Sequence, residues 1–456
     1  MSDRTRPQYL KTLAEFAANT TLDRISEAAR TRARWVIVDS IPVIAAGMQE
    51  AEMKGFVSRQ LAEAGAGTAW IIGTQKRTNV LDASLLNGTA GTWLELDEGN
   101  LFAKGHPGIQ VVPAAVALAQ TMGASGAELE RAVALGYEIS ARITRAAQTR
   151  LAFHPHGTYG VIGAAIAAAV LKRFNAAQML ELINCAATMG MATSRQTLLD
   201  GATVRNIFTG HSGYMGLTAV RLVESGFTGE IDSVGNVWGK GVYSDKFDPA
   251  LAISRLGDEW LITQSYFKLH PIGRYGHSAI DALEDLLAKV PGGRLDIGNI
   301  ERIEVRAYMF AASLASKNIV SSFGARFSVP FAMASILYHG RSGLKSFDEQ
   351  AVANPVIQAL LQKVDLQEDK AFTARFPAEQ PVTIRITMRD GKTHAGECTI
   401  TKGEAVKPHT HEELTGKFFE LGEPVWGKPV TQNLYDGLMK LESIADFREF
   451  ANGFTL

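Results

Sequence analysis

Apolar spacing changes period twice along this chain, and that limits the folds open to it. From Tyr9 to about Phe227 hydrophobic residues recur at helical rather than alternating intervals, with alanine and glycine abundant. The stretch from Ile25 to Ala46 is typical, with Ala28, Ala29, Arg32, Val36 and Asp39 distributed over helical faces. After Lys268 the texture changes. Ile303, Val305, Ala307 and Met309 alternate with Arg302, Glu304, Arg306 and Tyr308, which predicts a half-buried strand. Val382, Ile384, Ile386 and Met388 alternate in the same way, and Asp390-Gly391 turns the chain into Thr393–Thr399, so a hairpin is expected. Helical sequence lies between, at Pro330–Tyr338 and Phe347–Val364, and returns at a Thr410/Glu413 capping box to run to Phe450. The expected fold is mainly α: an all-helical domain, 1–267, continued by C-terminal helices over 404–456, with a smaller α+β lid domain inserted at 268–403.

Composition excludes several function classes. Forty-six Lys and Arg against 47 Asp and Glu leave a net charge of -1, with no global attraction to nucleic acid or to an anionic membrane. Any anion must be recognised locally. Cys185 and Cys398 are too few for a disulfide framework or a thiolate zinc site and fit a reducing cytoplasm. Residues 1–19, which include Asp3 and Glu15, show no secretory pattern, and the apolar runs, such as Val161–Leu171, are shorter than a membrane span. A cytoplasmic protein is expected. Gly210, Gly213 and Gly216 recur at intervals of three, and with no Gly-Lys-Ser/Thr after them they predict close helix packing rather than a phosphate loop.

Three times a histidine directly precedes a proline ahead of an apolar helical stretch: His106-Pro107, His154-Pro155 and His270-Pro271. Proline is tolerated in a first helical turn, so each pair predicts a helix N-terminus, where anions bind and imidazole is biased to its neutral form. Around the first pair, Trp93–Gly108 packs Glu95, Asp97, Glu98 and Lys104 into a glycine-rich loop, a setting in which binding groups collect. Around the second, His154 and His156 have metal-like spacing, but no third ligand of fitting spacing is evident and no metal is expected. His409 and His411 raise the same question, with Thr410 better read as a cap. Around the third, Lys268, Arg274 and His277 gather at the predicted domain junction; a desolvated lysine can act as a base and an arginine can grip a carboxylate. Arg205 is a further candidate clamp. No serine elbow, P-loop, His-Glu-x-x-His or dinucleotide fingerprint is present, so cofactor-free chemistry is expected.

Together, these motifs resemble the MmgE/PrpD family over nearly the whole chain. They are Ala-Arg-Trp-Val-Ile-Val-Asp-Ser near the start, Glu-Leu-Asp-Glu before Gly-His-Pro, Phe-His-Pro before Gly-Thr-Tyr-Gly, Val-Arg-Asn, Lys-Leu-His-Pro with Arg-Tyr-x-His, and Ala-Arg-Phe-Ser-Val-Pro-Phe-Ala. The resemblance implies a helical domain with an α+β lid, usually a homodimer, and an activity among 2-methylcitrate dehydratase, cis-aconitate decarboxylase and iminodisuccinate epimerase. It implies site roles for Asp97, His106, His154, Arg205 and Lys268, with Arg274 and His277 nearby; the expected catalytic groups are His106, Lys268 and His154, and the expected substrate-binding ones Asp97, Lys104, Tyr159, Arg205, Arg274 and His277. Where the decarboxylase-like pattern has a lysine and a tyrosine, this chain has Arg205 and Phe331, and the acidic-Gly-Asn run at 98–100 resembles the epimerase-like branch.

These activities share bond making or breaking next to a carboxylate, which requires a placed base and donors for the developing charge. The expected function is therefore a cofactor-independent isomerase or lyase of a small di- or tricarboxylate. Epimerisation of iminodisuccinate type ranks first, with Lys268 and His106 as the acid–base pair on opposite faces. Dehydration of 2-methylcitrate type and decarboxylation of cis-aconitate type are the alternatives. A non-catalytic carboxylate-binding protein is the reading from another class.

Overall fold

The computed structural model describes residues 5–452; Asp3 and the outermost residues of the predicted helical domain lie outside that range. The chain is mainly helical, as its periodicity predicts, with one four-stranded sheet and three two-stranded pairs among the described residues. Two apolar cores form. The larger draws on residues 9–267 and again on 414–451, and the smaller on 272–398.

The larger core is built from helices buried almost all round. The helices Pro107–Met122 and Gly160–Leu171 carry hardly a charged residue, as interior helices must. Glycine sets how closely they approach. A Cβ on Gly210 would lie 2.3 Å from the Leu85 carbonyl oxygen, one on Gly88 would lie 2.8 Å from the Gly210 Cα, and one on Gly216 would lie 2.7 Å from the Ala164 Cβ. The glycine triplet is therefore used for packing. The helix Glu27–Gly47 matches the stretch predicted from Ile25 to Ala46, with Ser26 as its cap.

The smaller core carries the sheet. Ile300–Ala307 lies between Val382–Met388, antiparallel, and Val364–Glu368, parallel, with Thr393–Cys398 at the edge. The predicted strand and hairpin are both present, and Gly391 takes a positive φ at the turn. The helix expected over Phe347–Val364 is instead two short helices, Glu349–Ala353 and Pro355–Gln362, followed by the parallel strand. Asn354-Pro355 breaks it, because proline disfavours helical geometry in the residue before it. The capping box at Thr410 and Glu413 opens His411–Trp426, which packs back on the first core. No described helix is long and apolar enough to cross a membrane.

Only one of the three His-Pro pairs opens a helix. His106 caps Pro107–Met122, with proline in the first turn. The helix after His154-Pro155 begins at Gly160, and the helix after His270-Pro271 begins at His277. In both cases the proline lies in the preceding turn, so the expectation of three helix-end anion sites is corrected to one.

The tight helix crossing predicts opposite effects for two helical glycines. Gly210→Ala overpacks the interface and costs about 1–3 kcal/mol. Gly416→Ala, exposed and with nothing near its Cβ position, gains roughly 0.5–1 kcal/mol. Denaturant unfolding of both variants distinguishes them; equal effects would contradict the packing role.

Candidate active site

The first half of the loop, Trp93–Asn100, is buried, while Phe102 and Lys104 reach solvent, and two contacts explain its course. Gly99–Asn100 pairs antiparallel with Ser265–Tyr266, and the Asn100 side chain both donates to the Leu261 carbonyl at 2.8 Å and accepts from the Ala103 N–H at 3.0 Å. That pairing brings Lys268 under the loop's carboxylates. The Lys268 Nζ lies 3.0 Å from Asp97 Oδ1 and 3.3 Å from Glu95 Oε2, and Arg205 meets the other Glu95 oxygen at 2.7 Å. Two buried anions are thus matched by two buried cations. Glu95 holds this position with a φ of 54°, a left-handed conformation that costs a side-chain-bearing residue about 1–2 kcal/mol.

His106 stands beside this array. Its Nδ1 is 2.6 Å from the Glu98 carbonyl and 3.0 Å from Asp97 Oδ2, both acceptors, which assigns the ring proton to Nδ1. Nε2 keeps a lone pair and has no partner among the described residues. Burial would raise the Asp97 carboxyl, but Lys268 and His106 hold it well below the usual carboxylate range. Asp97 therefore remains an anion able to orient His106 and to stabilise its protonated form.

His154 differs. Arg205 Nε donates to its Nε2 at 3.2 Å, and the His156 backbone N–H donates to its Nδ1 at 3.2 Å. A neutral imidazole has one lone pair and accepts only one of these two contacts, and a second proton would turn both ring nitrogens toward donors. Burial, reinforced by Arg205, depresses its pKa well below the ordinary value. His156, buried between the rings of His106 and His154 at centroid distances of 4.8 and 4.5 Å, is depressed in the same way.

A cavity of about 500 Å³ opens where the loops of the two cores meet. His106, His154, Tyr159, Lys104, Arg205 and Arg274 line it. Asp97, Lys268 and His277 stand behind its wall: Lys268 is 0% exposed, and His277 is held between Arg274 and the Ile272 carbonyl. Arg274 is stacked 4.3 Å over the Tyr266 ring and paired with Glu404 at 2.5 Å. Lys104 bonds the Ala147 carbonyl. Phe331 packs in the smaller core near Phe347, away from the cavity.

Two further residues come from the structure. Gln110 ties the histidine loops together, donating to the His106 carbonyl at 3.1 Å and accepting from the Gly157 N–H at 3.1 Å and the Ser212 hydroxyl at 2.9 Å. Arg195 lines the cavity. A polar residue inside an apolar helical run is the available signal for the first; nothing around Arg195 in the sequence marks it. The third metal-ligand partner that His154/His156 spacing lacks is supplied in space by another pairing, since donor atoms of Asp97, His106 and His156 lie within 4.8 Å of one another. Asp97 is already matched by Lys268 and His106, so a divalent ion would add charge beside an existing cation. His270, Asp281 and Glu284 form a second such group, of which Glu284 is exposed.

A family model described as the MmgE/PrpD N-terminal domain matches residues 11–250, and one described as the MmgE/PrpD C-terminal domain matches residues 270–436. Similar proteins include a cis-aconitate decarboxylase of Homo sapiens, 24% identical over 378 residues that take in 80% of this chain and 77% of that protein. The Mus musculus protein of the same name is 25% identical, covering 80% and 76%. A cis-aconitate decarboxylase of Aspergillus terreus is 21% identical over 463 residues, 95% and 93% of the two chains.

Glu98, whose Oε2 accepts the Gly108 N–H at 2.9 Å in the first turn of the His106 helix, is pushed up to about 8 by burial, with Asp97 and Asp39 adding to the rise. A carboxyl raised above its ordinary 4.5 stabilises the fold fully below that pH, and the contribution is lost as pH rises through about 8. Thermal unfolding from pH 6 to 9 is expected to show a steeper loss in the wild type than in Glu98→Gln. Parallel curves would contradict a protonated Glu98.

Proposed function

The chain belongs to the MmgE/PrpD family, and from that premise we propose that it is a lyase of small di- or tricarboxylates, moving a proton at a carbon next to a carboxylate with its own side chains. The supporting observation is the charge of the cavity. Lys104, Arg150, Arg195, Arg205 and Arg274 line it against a single carboxylate, Glu95. A cationic wall attracts an anion and stabilises charge that develops on its oxygens.

In this reading His106 is the proton carrier. Its Nε2 lone pair takes a proton from substrate carbon, or, once protonated, the ring returns one, while Asp97 offsets the imidazolium charge. In a decarboxylation the carbon–carbon bond breaks, carbon dioxide leaves, and the electron pair delocalised toward a neighbouring carboxylate is protonated. In a dehydration the same base removes the carbon proton, the electron pair forms the new double bond, and the departing hydroxyl takes up a proton, from the His106 imidazolium or from solvent, to leave as water. His154, kept neutral, is a poor proton source; it orients Arg205 at the cavity wall. Lys268 acts from behind the wall, holding Asp97 ionised and Glu95 in place.

Lyase chemistry is favoured over epimerisation on three grounds. The similar proteins found are decarboxylases, and the Asn100 amide, part of the motif that suggests the epimerase-like branch, is taken up by backbone contacts. Epimerisation also needs a proton carrier on each face of one carbon. Lys268, expected to be the second carrier, is behind the wall.

Proton NMR in deuterated water with cis-aconitate, 2-methylcitrate and iminodisuccinate tests the proposal. Loss of carbon dioxide or water from one of the first two, with solvent deuterium next to a carboxylate where the product gains a proton, is expected. His106→Asn should lower kcat roughly 100- to 10,000-fold. Conversion of iminodisuccinate alone would replace the lyase with an epimerase, and no reaction of any of the three would overturn the proposal.

A further inference from the structure

The five cations around the cavity are not equally available. Arg205 is committed to Glu95 and the Thr92 carbonyl, and Arg274 to Glu404 and the Lys402 carbonyl. Arg150 is paired with Asp245 and the Val242 carbonyl, and Lys104 with the Ala147 carbonyl. Among the described residues the Arg195 guanidinium alone of the five has no hydrogen-bond or ion-pair partner. Instead it stands over two aromatic rings, 5.1 Å from the Phe310 centroid and 5.7 Å from that of Tyr275. Those rings are stacked on each other at 4.7 Å and 20°.

This is a specific mounting for a cation. The aromatic faces favour the charge and restrict the guanidinium plane without consuming its N–H donors. Tyr275 and Phe310 pack against the smaller core, whereas Arg195 belongs to the segment bracing the histidine loop. Its backbone N–H donates to the Ala152 carbonyl at 2.9 Å, and Thr193 donates to the His154 carbonyl at 2.5 Å. The positive charge of Arg195 also reaches His154. An unpaired, planar, five-donor cation is thereby held across the junction of the two cores, on the same cavity as His106.

We propose that Arg195 is the specificity-determining carboxylate clamp: it binds the substrate carboxylate remote from the reacting carbon through a two-pronged hydrogen bond and so selects di- and tricarboxylates over monocarboxylates. Arg205 and Arg274, the clamps expected from sequence, shape the wall in ion pairs with protein carboxylates. Binding a substrate carboxylate there requires sharing or breaking an existing pair. At Arg195 it does not.

The inference rests on the proposed carboxylate chemistry, and one titration separates the two. Calorimetric binding of tricarballylate and of butyrate is measured for the wild type, Arg195→Met, Arg195→Lys and Tyr275→Leu. Arg195→Met is expected to weaken tricarballylate binding roughly 10- to 100-fold, as for loss of a charged hydrogen-bonded pair, and to leave butyrate unaffected. Arg195→Lys should recover part of the affinity, and Tyr275→Leu should lose a smaller part. With any substrate that turns over, Arg195→Met should raise KM more than it lowers kcat, the reverse of His106→Asn. Tricarballylate binding equally well to the wild type and Arg195→Met would overturn the clamp while leaving the carboxylate reading intact. A wild type that binds neither acid would overturn both.

Discussion

The buried charge array of Lys268, Asp97, Glu95 and Arg205 is the interaction on which the rest of the site depends. Removing any one partner strands a charge in a medium where desolvation outweighs distant attraction, a cost of about 3–5 kcal/mol. The four side chains come from three separated stretches of sequence, so the array also specifies how those stretches meet. It fixes Glu95 in a left-handed backbone conformation, keeps Asp97 ionised under His106, and leaves Arg205 aimed at His154. Its net charge is balanced, and any excess positive potential in the cavity must come from elsewhere.

The helical scaffold allows such an array to be held. Helices at glycine-limited separations have little room to shift, and Gln110 fastens the His106 helix to the His154 loop from inside the bundle. Interiors packed this densely move between discrete arrangements more readily than they deform. Distances of 3 Å between loops rest on that stiffness.

Much of this is legible in the sequence because the signals are local. Periodicity marks the helices, the central strand and the hairpin; the Thr410/Glu413 box and the glycine triplet each have one physical reading. The parallel strand Val364–Glu368 escapes detection because only Val364 and Leu366 alternate with polar residues along it, too short a run to stand out beside the helical sequence that precedes it. The His-Pro pairs promise more helix starts than form: proline permits a helix start but equally stabilises a turn, and the residues after it decide between the two. At the site, residue types identify candidates correctly as neighbours but do not say which stand on the cavity. Lys268 and His277 are close to the wall yet behind it, and that depends on chain pairing at Gly99–Asn100 with Ser265–Tyr266, a contact between segments far apart in the chain.

The distinction between a charge that balances and a charge that binds also accounts for the histidines. Three imidazoles lie in edge contact, and a protonated ring at His154 or His156 would face Arg205 with no carboxylate of its own. Of the three, His106 alone touches Asp97. In the proposed mechanism the array thus singles out one ring of the three: the pairing with Lys268 leaves Asp97 with one face for His106, and Arg205 occupies a ring nitrogen of His154. A cavity whose permanent cations are mostly paired, whose single carboxylate is engaged, and whose His106 ring is oriented from behind by Asp97 is suited to a substrate that brings its own negative charges. With Arg205 and Arg274 engaged by protein carboxylates, the proposed recognition of that charge falls to Arg195, the cavity cation that has no hydrogen-bond or ion-pair partner among the described residues.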